Sequence, residues 1–148
     1  MRQPATDIPG LVLNGRVAFL PAEIDRLYSR DNLPDHAALL ANLVEWAANG
    51  NIPLQVEGRG LFDCSLYTQP GRVIAHVVNL TATGRMPIAD DDLVPAGPLK
   101  FGVRLPGGVH GRGVRMLVAN KTATPVLANG WARVTIPSVL DHEVLVIE

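Results

Sequence analysis

The chain has 148 residues, 47% of them hydrophobic and 18% charged, with a net charge of −1. That length holds one domain, or one domain and part of another, with a core that needs no disulfide staples. The dispersed, near-neutral charge excludes nucleic acid, whose binders carry a basic patch, and the single cysteine, Cys64, excludes an internal disulfide and a cysteine-based zinc site.

Asn14-Gly15 reads as a turn, and Arg16–Leu20 as a short apolar strand ended by Pro21. Ala22 to Arg30 is compatible with an irregular turn or a short helix. Pro34 suits the first turn of a helix, where its missing N–H costs nothing, and Asp35 adds favourable charge at that end. From there to Asn49 the apolar residues Leu39, Leu40, Leu43, Val44, Trp46 and Ala47 recur at helical spacing. Asp35, Asn42, Glu45 and Asn49 take the opposite face, and Gly50 stands just past the end.

After Pro53 the pattern changes to short β-type runs punctuated by Gly, Pro, Asn and Asp at about ten-residue spacing, the mark of a sandwich or barrel. The runs are Leu54–Glu57, Leu61–Tyr67, Arg72–Leu80, Leu99–Leu105, Val114–Asn120, Pro125–Leu127, Trp131–Ile136 and Glu143–Ile147. Gln69-Pro70-Gly71 and Ala128-Asn129-Gly130 mark hairpins, whereas Thr83 to Pro98 is long enough to cross between sheets. The expected architecture is mainly β: an antiparallel sandwich of about seven to eight strands. It follows a strand–helix segment from an α/β unit, with the division at residues 1–50 and 51–148.

No catalytic, cofactor-binding or metal-ligating set emerges. Alternation puts Cys64 on one face with Phe62 and Leu66, as a buried thiol without an activating histidine. His76 shares a face with Ile74, Val78 and Leu80, which suggests a core or sheet-edge histidine. His36, His110 and His142 show no metal-ligand spacing. Asp141-His142-Glu143, after Ser138, has the letters of a hydrolase triad, but neighbours on a strand point to opposite faces. Gly107 to Gly113 lacks the following helix that a phosphate loop needs, and Asp90-Asp91-Asp92 lacks the alternation of a calcium loop. The sequons at Asn79 and Asn120 are read as chance occurrences.

Sugar-binding surfaces present flat rings, and most of the two Trp, two Tyr and three Phe fall at core-facing positions. Tyr28, Tyr67 and Trp131 remain as candidate sugar contacts. Met1 to Gly10 lacks a charged-then-apolar leader, and no apolar run reaches the roughly 18 residues of a membrane span. A cytoplasmic protein with no membrane segment is the expectation.

Three segments carry a resemblance. Gly15-Arg-Val-Ala-Phe-Leu-Pro-Ala-Glu-Ile-Asp-Arg-Leu-Tyr28 resembles the last strand and loop of the flavodoxin-like, glutamine-amidotransferase-like domain called the β-galactosidase trimerisation domain. Asp31-Asn-Leu-Pro-Asp-His36 with Leu39-Leu-Ala-Asn-Leu-Val-Glu-Trp46 is similar to its final helix. Arg72–Leu80 and Ile136–Val146 resemble the C-terminal β-domain that follows it in bacterial proteins often called hypothetical glycosyl hydrolases.

The resemblance runs from about residue 11 onward. It implies that a (β/α) barrel of a longer parent chain carries the catalytic carboxylates, so no catalytic residue transfers to this chain. It also implies that Arg16–Leu20 is an inner or near-inner strand of a parallel sheet whose neighbours lie elsewhere. The expectation is therefore a non-catalytic accessory module of a glycoside hydrolase, with a carbohydrate-binding module as the alternative and an independent small hydrolase third. Phe19, Leu39, Leu40, Leu43 and Trp46 are the interface candidates for a homo-oligomer formed through residues 11–50.

Overall fold

The structure, a computed structural model, describes residues 7–81 and 93–148. Two compact units divide the chain, Met1–Ile52 and Pro53–Glu148.

In the first unit, β1 (Val12–Asn14) and β2 (Val17–Phe19) form a hairpin, followed by α1 (Ile24–Asp31) and α2 (Pro34–Ala48). Asn14 opposite Val17 leaves Gly15-Arg16 as a two-residue loop, and Gly15 has φ +57°, a conformation that costs glycine least. So tight a turn can only return the chain antiparallel, and β2 pairs with β1 in that sense rather than as an inner strand of a parallel sheet.

The segment left open between turn and helix is α1, which ends where Asn32 turns left-handed at φ +51°. Helix α2 starts at Pro34 and stops where Asn49 and Gly50 take φ +50° and +72°. From the hairpin loop, Arg16 Nε donates to the Ala47 carbonyl at 2.8 Å, placing a cation at the negative end of α2.

Leu39, Leu40 and Leu43 are half-buried, as the helical stripe requires. Val44 and Trp46, read as part of that stripe, are 60% and 40% exposed, so the covered face is narrower than the spacing suggested. None of the described residues from 7 to 52 is buried.

The second unit is an antiparallel β-sandwich. One sheet orders its strands β3 (Leu54–Glu57), β6 (Leu99–Arg104), β10 (Trp131–Ile136) and β9 (Val126–Ala128). The other orders β4 (Phe62–Gln69), β5 (Arg72–Asn79), β11 (His142–Ile147), β7 (Val114–Met116) and β8 (Lys121–Ala123). Two-residue turns close the predicted hairpins. Pro70-Gly71 joins β4 to β5, with Gly71 at φ +75°, and Asn129-Gly130 joins β9 to β10, with φ +51° and +77°. Strand β5 lies in one sheet and β6 in the other, so the chain between them crosses the sandwich. Most of that connection, including Asp90-Asp91-Asp92, is outside the described residues.

Alternate residues of both sheets meet in one core. Val73, Ala75, Val77, Val114, Met116, Leu145 and Ile147 come from one side, and Leu99, Phe101, Val103, Ala132 and Ile136 from the other. Each large aliphatic or aromatic side chain buried here contributes roughly 1.5–3 kcal/mol. The core takes the odd-numbered residues of β5, so His76 stands exposed on the outer face instead of in the core.

The run read as one strand from Val114 to Asn120 is interrupted. Strand β7 stops at Met116, Leu117 to Asn120 reverse the chain with Asn120 at φ +50°, and Lys121–Ala123 return as β8. The cause is Glu143, 3% exposed, whose carboxylate accepts the N–H groups of Val118 (2.8 Å), Ala119 (3.0 Å) and Val144 (2.8 Å). An apolar stretch with good strand propensity is thus turned by an anion 25 residues away.

Candidate functional site

The outer face of the four-stranded sheet holds a groove of about 470 Å³. Its floor follows from register. Gln55 of β3 and Arg133 of β10 both pair with Gly102 of β6, so the three form one row across the sheet, which Val126 of β9 extends. Glu57, Lys100 and Thr135 make the next row. On the other side of the Gly102 row, Arg104, Trp131 and Ala128 stand opposite one another. Thr124, between β8 and β9, lines the groove as well.

Glycine in mid-strand packs nothing and weakens the ladder, but it lets neighbouring groups approach the backbone. A Cβ at Gly102 would touch Arg133 Cγ and Trp131 Cε3 at 3.6 Å and Gln55 Cβ at 3.7 Å. The tryptophan ring therefore leans over the glycine. Arg104 and Arg133 hold their guanidinium carbons 5.2 and 5.3 Å from the ring centroid, within cation–π range. At the far end Lys100 Nζ and Glu57 Oε2 are 3.4 Å apart, an exposed pair of little energetic weight. Arg133 forms no ion pair with any described carboxylate.

Tyr67 and Trp131, two of the three rings singled out in sequence, lie on different sheets of the sandwich. Trp131, flanked by its two arginines, is only 8% exposed and has no open face. Tyr67 is 58% exposed on the outer face of the five-stranded sheet, where His76 meets it edge-on with centroids 5.6 Å apart. Tyr28 is half-buried in α1, within the first unit. Of the interface candidates, Phe19 is 61% exposed on the hairpin face it shares with Val12 and Val17.

Other polar groups serve the fold. Asn79 is 3% exposed, and its Nδ2 donates to the carbonyls of Val94 (2.8 Å), Val139 (3.0 Å) and Leu140 (2.8 Å). Its Oδ1 accepts the Thr81 N–H at 2.9 Å, so the amide of this sequon is fully engaged. Ser138, Asp141, His142 and Glu143 line a smaller pocket of about 290 Å³. His142 Nδ1 lies 3.1 Å from Asp141 Oδ2, but the Glu143 carboxylate is taken up by backbone N–H groups and no hydrogen bond joins Ser138 to His142.

Cys64 sits on the inner side of β4 opposite Val77, and burial pushes its thiol pKa up, with the Asp63 charge adding to the shift. The Gly107–Gly113 segment links the two sheets. Val109 is buried in the core, and a Cβ on Gly111, at φ +64°, would lie 2.8 Å from Leu105. Among the described residues, no three His, Cys, Asp or Glu side chains are placed to hold a metal ion. Nor is any described helix long and apolar enough to cross a membrane.

No family model matches the sequence, and no curated protein does either. Among solved structures, α-L-fucosidase isoenzyme 2 from Paenibacillus thiaminolyticus matches with a TM-score of 0.73 and 17% identity. The match covers 98% of this chain and 23% of the fucosidase, so the chain spans about a quarter of that protein's length. At that identity the likeness is one of fold.

Proposed function

We infer that this chain is a non-catalytic accessory part of a glycoside hydrolase, the C-terminal portion that follows a catalytic barrel. The observation that carries the reading is the match over 98% of the chain to part of an α-L-fucosidase. The segments Gly15–Tyr28 and Arg72–Leu80, which resemble the end of a trimerisation-type domain and its following β-domain, support it independently. Acid–base glycoside hydrolysis needs two carboxylates facing each other across a cleft, at most about 9.5 Å apart. Among the described residues that line the groove, the one carboxylate, Glu57, stands beside Lys100.

The test is to incubate the purified chain with nitrophenyl glycosides, the α-L-fucoside included. No turnover is expected. Hydrolysis that disappears when a single Asp or Glu is replaced would overturn the reading. A second reading, a carbohydrate-binding module, is favoured by the polar lining of the groove, where Gln55, Thr124 and Thr135 offer donors and acceptors suited to hydroxyl groups.

A further inference from the structure

We propose that the groove over Gly102 is a binding site for an acidic saccharide, a sugar bearing a carboxylate, which Arg133 receives. The saccharide part rests on the carbohydrate-binding reading, while the anionic part rests on the charges of the groove itself. The cavity, about 470 Å³, falls within the range of roughly 300–1,000 Å³ of small-molecule sites.

Among the described residues, Lys100 and Arg133 line the groove with a single carboxylate, Glu57, and that carboxylate stands against Lys100. The chain as a whole has a net charge of −1, so this face is locally cationic on a slightly acidic protein. Arg133 is the distinctive member. Its guanidinium is steadied over the Trp131 ring at 5.3 Å and has no described carboxylate partner. A planar fork fixed on an aromatic face loses little entropy on meeting a carboxylate, which it can bind through two parallel N–H donors.

The rest of the lining supplies what a sugar ring needs. Gln55 flanks Gly102 on the side opposite Arg133, and Thr135 and the Glu57–Lys100 pair stand one row away on the same face. Their amide, hydroxyl and charged groups match adjacent ring hydroxyls. Gly102 removes the side chain that would otherwise fill the middle of the row.

The experiment is a titration of the ¹⁵N-labelled full chain with tetragalacturonate, its methyl ester and inorganic sulfate, followed through backbone amides. The acid oligomer is expected to shift Gly102 and Arg133 in a saturable way. Binding should weaken as salt rises from about 0.01 M to about 0.15 M and the screening length falls from about 30 Å to about 8 Å. Arg133→Met should lower affinity about 10- to 100-fold, the loss of one charged hydrogen-bonded contact. Thr135→Ala, which leaves the Trp131 stack in place, should lower it about two- to tenfold.

The proposal is overturned if no probe moves Gly102 and Arg133, or if the methyl ester binds as tightly as the acid. Sulfate binding as tightly as the oligomer overturns the saccharide assignment. Shifts confined to the surroundings of Tyr67 overturn the groove and leave the carbohydrate-binding reading standing.

Discussion

Replacing Asn79 by alanine probes the joint on which the sandwich closes. The Asn79 amide nitrogen has two protons shared among the carbonyls of Val94, Val139 and Leu140, and its oxygen accepts from Thr81 N–H. Two donors and one acceptor amount to three net hydrogen bonds at about 1 kcal/mol each, so Asn79→Ala should destabilise by about 3 kcal/mol. Against a total of about 5–15 kcal/mol that is a large fraction. For a unit of this size it corresponds to a melting shift of roughly 12–24 °C, at about 4–8 °C per kcal/mol. Asn79→Asp should cost more, because it removes both donors and faces the Val94, Val139 and Leu140 carbonyl oxygens with a negative charge. The assay is urea unfolding followed by tryptophan fluorescence in a Trp46→Phe background, where Trp131 reports on the sandwich alone. A loss below about 1 kcal/mol at unchanged m-value would refute the reasoning, since it would mean that the network carries no net stability.

Four further outcomes are expected. Glu143→Ala, which leaves the N–H groups of Val118 and Ala119 without their acceptor, should cost roughly 1.5–3 kcal/mol for each charged bond that water does not replace, read by urea unfolding. Native Cys64 should react with iodoacetamide more slowly at neutral pH than the urea-unfolded chain does, because burial raises its pKa. A raised acid pKa stabilises the fold fully below the unfolded value, near about 8.5, and progressively less as pH climbs through the folded value, so Cys64→Ala should narrow the gap to wild type in mild alkali. The full chain should self-associate in sedimentation equilibrium while a shorter chain starting at Asn51 does not, and a full chain monomeric at high micromolar concentration would end that expectation.

Local signals in the sequence located most of the elements because each rests on residues close together. Pro34 and Asn49-Gly50 bracket α2, and Pro70-Gly71 and Asn129-Gly130 supply the positive φ angles their turns require. Strands β3 and β10 have the limits that alternation predicts. What escaped depends on distant partners. At Leu117 the one local signal is Asn120, with φ +50°, and the acceptor that holds the Val118 and Ala119 N–H groups in the reversal is the distant Glu143. The inward face of β5 is not legible in the sequence because both faces carry aliphatics, and Asn79, which looks like a surface residue, ends the buried one.

The groove was invisible for a related reason. Its central row joins residues 55, 102 and 133, and the strand order β3-β6-β10 that makes them neighbours is not the order of the chain. Gly102 inside an otherwise regular strand was the one local hint of a close approach.

The two units differ in a way that bears on where function can reside. Among the described residues, the buried hydrophobic ones all lie between Val73 and Ile147, and those from 7 to 52 contribute none. A site held to sub-ångström geometry needs a shell that does not move, and packed strands provide it better than a segment without a core. In β6 the groove residues stand between buried ones: Lys100 lies between Leu99 and Phe101, and Gly102 between Phe101 and Val103. The ladder and the core beneath it thus fix the backbone positions from which Gln55, Lys100 and Arg133 project. The first unit has the opposite character. Val17 and Phe19 lie open on its hairpin. Under the accessory-module reading proposed above, the sandwich is the unit to test for a ligand and the hairpin the one to test for a partner.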